Sequence, residues 1–153
     1  MVGFGSLCGY LLAKKYRKRK MFFFQFCEFN DRFLNEISYY KRPLETFIGS
    51  YEYKGEFSLL LQDFLTVNRK KRDFDWLKGE EYSFLKQEEK TLIYDYFQML
   101  GKGDSVSQKN YFSSTKDRLL YLRKETAEIC KKYGDLYLKI GFLIGLLVLI
   151  LIM

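Results

Sequence analysis

The chain has 153 residues, with 26 Lys and Arg, 19 Asp and Glu, three Cys and no His. Without imidazole, and with Cys8, Cys27 and Cys130 far apart, it excludes a Ser-His-Asp triad, a His-liganded metal site, a short zinc or redox motif and a disulfide-stapled secreted domain. The formal net charge of +7 does not signal nucleic acid: six cations sit in residues 14–20, KKYRKRK, and the rest of the chain carries 20 basic against 19 acidic side chains, so no basic face is expected.

Residues 1–13, MVGFGSLCGYLLA, hold no charged side chain and are expected to form an N-terminal membrane anchor. The segment is short for a bilayer of about 30 Å. Three readings therefore stand: a short anchor on or in the membrane, part of an anchor that begins upstream, or a buried core helix. Gly5, Gly9 and Ala13 have the small-xxx-small spacing that lets membrane helices approach closely. Lys14, Lys15, Arg17, Lys18, Arg19 and Lys20 follow the apolar stretch, which argues against a cleaved signal peptide. By the positive-inside rule they place the middle of the chain in the cytoplasm.

The middle, residues 14–139, reads as an all-α bundle of about five to six helices. Phe22, Phe26, Phe29, Phe33, Ile37 and Tyr40 recur every three or four residues, marking one face of a first long helix that stops near Lys41, ahead of Pro43. Pro43 suits the first turn of a short second helix. Phe57, Leu60, Leu61, Phe64, Leu65 and Asn68 mark a third. It is closed by a solvated loop, Arg69-Lys70-Lys71-Arg72. Asp73 is placed to cap a fourth, FDWLKGEEYSFL. Leu92, Ile93, Tyr96, Phe97 and Leu100 mark a fifth, which ends at Gly101 as a left-handed cap.

Asp104 or Ser105 caps the last helix, and Ser105 with Gln108 fits the S-x-x-Q capping box. Phe112, Thr115, Leu119, Leu122, Thr126, Ile129, Tyr133, Leu136 and Ile140 then form a stripe of coiled-coil period. It runs into residues 140–153, IGFLIGLLVLILIM, a C-terminal transmembrane anchor with Gly141 and Gly145 four apart. With both ends reaching one membrane, the first and last helices are expected to run antiparallel.

The sequence holds no P-loop, no dinucleotide fingerprint and no nucleophile elbow. Gly101-Lys102-Gly103-Asp104 reads as a turn with a capping Asp rather than an anion site. The carboxylates Glu80, Glu81, Glu88, Glu89, Asp73 and Asp75 read as solvated helix faces, and Trp76 as a packing residue. No catalytic residue, metal or cofactor is expected.

Three stretches resemble the stage III sporulation protein AB family, relatives of the F-type platform domain of type II secretion. They are Glu36-Ile37-Ser38-Tyr39 with Pro43-Leu44; Leu100-Gly101 with Asp104 and Gln108; and the tail from Tyr137 through Gly141 and Gly145. Tyr40, where a small residue is common, and Gly103, where serine is common, depart from the pattern. The resemblance implies a non-enzymatic scaffold in the mother-cell membrane facing the forespore. It would belong to a secretion-type channel needed for endospore formation. Its cytoplasmic domain would dock an ATPase, stage III sporulation protein AA, and its anchors would meet other channel components. Glu36, Tyr39 and Pro43 would shape the first helical corner, and Leu100, Gly101, Asp104 and Gln108 the turn into the long helix. A second reading, from the residues alone, is a lipid-interacting protein acting through the basic cluster.

Overall fold

A computed structural model describes residues 2–70 and 75–152, with the side chains of 9–66 and 77–152. Among these residues there are helices and turns and no strand. Two long helices dominate: α1, Val2–Asn35, and the C-terminal Ser105–Ile152, which runs unbroken for 48 residues, about 72 Å at 1.5 Å per residue. Between them lie α2 (Leu44–Gly49), α3 (Gly55–Lys70) and α4 (Gln87–Met99), so the C-terminal helix is α5.

α1 and α5 are antiparallel along their length. Gly9 faces Tyr137, the Cys27 thiol donates to the Leu119 carbonyl at 3.2 Å, the Asn30 amide donates to the Phe112 carbonyl at 3.2 Å, and Lys116 pairs with Asp31 at 2.9 Å. Burial pushes the Cys27 thiol up to about 11. Asn30 is buried but satisfied, because its carbonyl accepts from the Tyr96 hydroxyl at 2.9 Å.

The Phe stripe of α1 is the axis of the core. Phe22, Phe26, Phe29 and Phe33 are each at most 5% exposed. Phe57 of α3 and Tyr96 and Phe97 of α4 close around Phe26, and Phe47 of α2 packs against Phe29 and Phe33. Gln25 ties α1 to the approach to α3: its amide donates to the Lys54 carbonyl at 2.9 Å and accepts from the Lys54 N–H at 2.7 Å.

The structure corrects several sequence expectations. Tyr40 leaves the stripe and is exposed, because residues 36–40 form a π-helical turn that rotates it out of register. The fourth helix is replaced by two 3₁₀ turns, Asp75–Lys78 and Glu80–Tyr82, hinged at Gly79. Gly is a poor helix residue, and the buried Leu77, Tyr82, Phe84 and Leu85 fit a chain laid over the core better than one helical face. Arg69 and Lys70, read as loop, are the last residues of α3, while Lys71, Arg72, Asp73 and the side chain of Trp76 lie outside the described residues. On α5 the stripe holds through Thr126, but Leu136 and Ile140 then point outward and Gly134, Gly141 and Gly145 are buried instead. A straight helix drifts relative to a 3.5-residue repeat, so the contact with α1 passes to Tyr137 and Gly141.

The turn from α4 to α5 is also more specific than a helix cap. Leu100 lies at φ −65°, ψ 120°, Gly101 at φ +76°, and the Lys102 N–H donates to the Met99 carbonyl at 3.2 Å. That is a type II turn, which demands positive φ at its third residue. A Cβ on Gly101 would lie 3.2 Å from Leu44 Cδ2. Gly101→Val is therefore expected to lower stability by roughly 2 kcal/mol, from a β-branched residue at positive φ. Thermal unfolding of the full chain in detergent checks it; an unchanged midpoint would remove the turn's demand for glycine.

Candidate functional site

No group of three or more His, Cys, Asp or Glu side chains is placed to hold a metal ion among the described residues. The candidate site is an interaction surface, and the antiparallel pair assembles it at the end remote from the apolar run. There the two sequence motifs, some sixty residues apart, share one cleft of about 280 Å³. Its lining includes Phe33, Glu36, Arg42, Leu44, Gly101 and Gln108.

Glu36 is buried, and Arg42 satisfies it. The Arg42 backbone N–H donates at 2.9 Å, and its guanidinium donates at 3.0 Å to Oε1 and at 2.6 Å to Oε2. The hydrogen bonds from Arg42 hold the Glu36 carboxyl below the usual carboxylate range. A group whose folded pKa is depressed stabilises above its unfolded pKa, and that stability disappears as pH falls through the folded value. Glu36→Gln is therefore expected to destabilise at neutral pH, with the gap to the unmodified chain closing on acidification. A gap that does not change with pH would contradict the ion pair's role.

Arg42 also donates to Ser50 Oγ at 3.2 Å, clamping the corner between the π turn and α2. Pro43 sits at the N-cap of α2 in an extended conformation. Leu100 is buried. Asp104, not Ser105, caps α5: its Oδ1 accepts from the Ser107 N–H at 2.9 Å, which lowers its pKa. Gln108 makes no capping box; its amide donates to the Lys102 carbonyl at 2.8 Å and braces the turn. Tyr39 shapes no corner, since it is 80% exposed, with Tyr40 beside it at 68%.

At the other end the basic cluster is divided. Arg19 is buried, with its guanidinium on both Glu89 carboxylate oxygens, and Glu125 lies 3.7 Å away. Glu89 also accepts from the Lys86 N–H at 2.9 Å, so it anchors the start of α4 and is no solvated face residue. Lys18 pairs with Glu56 at 2.6 Å. Lys14, Lys15, Arg17 and Lys20 are exposed. Sequence reasoning missed the Arg19 pair, although the Phe stripe continued toward the N-terminus lands on Arg19, Tyr16, Ala13 and Gly9. Tyr16 stacks on Tyr133 and Tyr137, with centroids 5.7 and 6.2 Å away.

Beyond that stack the two helices touch through small residues. Gly9 and Ala13 of α1 and Gly141 and Gly145 of α5 are buried, and Gly9 meets Tyr137 and Gly141 across the seam, whereas Gly5 lies outside the residues whose side chains are described. A Cβ on Gly9 would come 2.9 Å from the Tyr137 carbonyl oxygen, a backbone atom that cannot swing away. Gly9→Val is expected to push the helices apart and lower stability by about 1–3 kcal/mol. A pair of cysteines introduced across the seam should then cross-link more slowly, and an unchanged rate would mean the contact is loose.

α5 contains a window of mean hydropathy 2.3, of which 11% is buried, and it is the one described helix long and apolar enough to cross a membrane. A family model described as stage III sporulation protein AB matches residues 1–153, the whole chain. No curated protein and no solved structure matches it.

Proposed function

We propose that this chain, which belongs to the stage III sporulation protein AB family and so has a role in sporulation, is a non-enzymatic membrane-anchored adaptor. In this reading its α5 tail, with the start of α1, holds it in the mother-cell membrane facing the forespore. Residues 14–139 stand in the cytoplasm, and the far end docks the ATPase of a secretion-type channel, stage III sporulation protein AA. The observation that supports this most is the convergence of both motif segments on one surface at the end remote from the apolar run. There they present two exposed tyrosines on a braced corner. Exposed aromatics on a rigid support suit a protein interface.

The alternative, a protein acting on lipid through all six basic residues, is weakened because Lys18 and Arg19 are engaged internally.

A pull-down of the full chain in detergent from sporulating-cell lysate tests the adaptor reading. The unmodified chain should recover the ATPase, and the Tyr39→Ala, Tyr40→Ala double variant should not. Equal recovery by both would move docking off this surface; recovery by neither, together with normal spore yield from a deletion strain, would end the reading.

A further inference from the structure

The exposed cations near the apolar segments come from two helices, not one. The register that sets Gly9 against Tyr137 and Gly141 brings residues 131–139 of α5 alongside the start of the α1 basic cluster. Lys131, Lys132 and Lys139 are exposed there, at the level of the Tyr16–Tyr133–Tyr137 stack. They join Lys14, Lys15, Arg17 and Lys20 in one band, which also contains two exposed carboxylates, Glu128 and Asp135. The three α5 lysines, with Glu128, Asp135 and Leu136, line a shallow groove of about 430 Å³. Directly beyond the band, α1 exposes Tyr10, Leu11 and Leu12, and α5 exposes Ile140, Phe142 and Leu143.

We propose that these seven exposed cations form a two-helix collar that binds anionic phospholipid headgroups, and that Lys18 and Arg19 have no part in it. Two features favour a headgroup over an acidic protein. The band meets outward-facing apolar surface on both helices without a break, which is the junction between headgroups and acyl chains. Aromatic rings with polar tips mark the same level, as they do at membrane–water boundaries. Juxtamembrane cations gain from the negative potential of an anionic leaflet only within about a Debye length, ~8 Å at physiological salt. The headgroup layer extends about 5–7 Å past the hydrocarbon edge, and that reach starts at its surface; Arg17 at about 6 Å and Lys20 at about 10 Å along α1 from Ala13, and Lys132 and Lys131 at about 12 and 14 Å along α5 from Ile140, all lie within the sum.

The test reconstitutes the full chain in phosphatidylcholine bilayers carrying spin-labelled phosphatidylglycerol or spin-labelled phosphatidylcholine. Electron paramagnetic resonance then reads the motionally restricted fraction of each. The anionic phosphatidylglycerol is expected to associate at least about twofold more strongly than phosphatidylcholine at low salt, with the preference shrinking at about 1 M salt. Changing all seven cations to Gln should bring the two lipids to parity, and Lys18→Gln should leave the preference intact. If the sevenfold variant does not fold, Lys131→Gln, Lys132→Gln, Lys139→Gln alone should reduce the preference by roughly half, the share expected of three charges in seven. Equal association of both lipids with the unmodified chain would overturn the collar. So would a preference that survives the Gln changes, or one abolished by Lys18→Gln.

Discussion

Arg19→Ala is expected to destabilise the fold by about 3–5 kcal/mol, the range for breaking a buried ion pair from one side. Arg19 is 6% exposed and the Glu89 it serves is 3% exposed, so the change strands a carboxylate that water does not reach. The backbone N–H of Lys86 still donates to Glu89, but Lys86 Nζ is engaged with Glu125 at 3.7 Å and lies on the solvent side. The neighbouring Lys20 is exposed, and Lys20→Ala should change stability by less than about 0.5 kcal/mol. Denaturant unfolding of the full chain in detergent separates the two. Replacing Arg19 and Glu89 together with Met should recover most of the loss, since apolar isosteres of a buried pair are often neutral or stabilising. A single Arg19→Ala within 0.5 kcal/mol of the unmodified chain, on the scale of an ordinary surface change, would show that the pair is not sealed from water.

Phe26→Ala is expected to cost a similar amount, about 3–5 kcal/mol, through lost transfer energy and the cavity left behind. Phe26 is fully buried and its ring meets Phe22, Phe57, Tyr96 and Phe97, with the Tyr96 centroid only 4.7 Å away and nearly perpendicular. These neighbours belong to α1, α3 and α4, so the cavity would open where three helices meet and no single one could shift to fill it. Phe24, 36% exposed with the Arg123 guanidinium 4.4 Å above its ring, is the control: Phe24→Ala should cost about 1 kcal/mol or less. Comparable losses for Phe26 and Phe24 would mean the core collapses around the gap.

Both predictions turn on one stripe, and its legibility was uneven. From Phe22 to Ile37 the three-and-four spacing of apolar residues names the buried face directly, because periodicity and burial share one cause. Toward the N-terminus the same face continues through Arg19, Tyr16, Ala13 and Gly9. Charge hides it there: a cation inside KKYRKRK looks solvated until a carboxylate seventy residues away is brought to it. Glu89 was obscured in the same way, reading as half of an exposed Glu88-Glu89 pair although its side chain faces inward from α4.

The chain's own chemistry determined its class: helices throughout, two uncharged ends around a charged middle, a break at Pro43 and a glycine-dependent turn at Gly101. Each rests on a local rule of spacing, backbone freedom or transfer between water and an apolar phase. Tertiary structure alone decided which charges are structural and which are free. It also decided that the seam of α5 passes from Leu136 and Ile140 to Tyr137 and Gly141, and that Tyr39 faces solvent while Glu36 closes the corner. Those outcomes depend on helix drift over many turns, on a π-helical turn that shifts register just past the end of α1, and on partners supplied from distant sequence, none of which a local pattern contains.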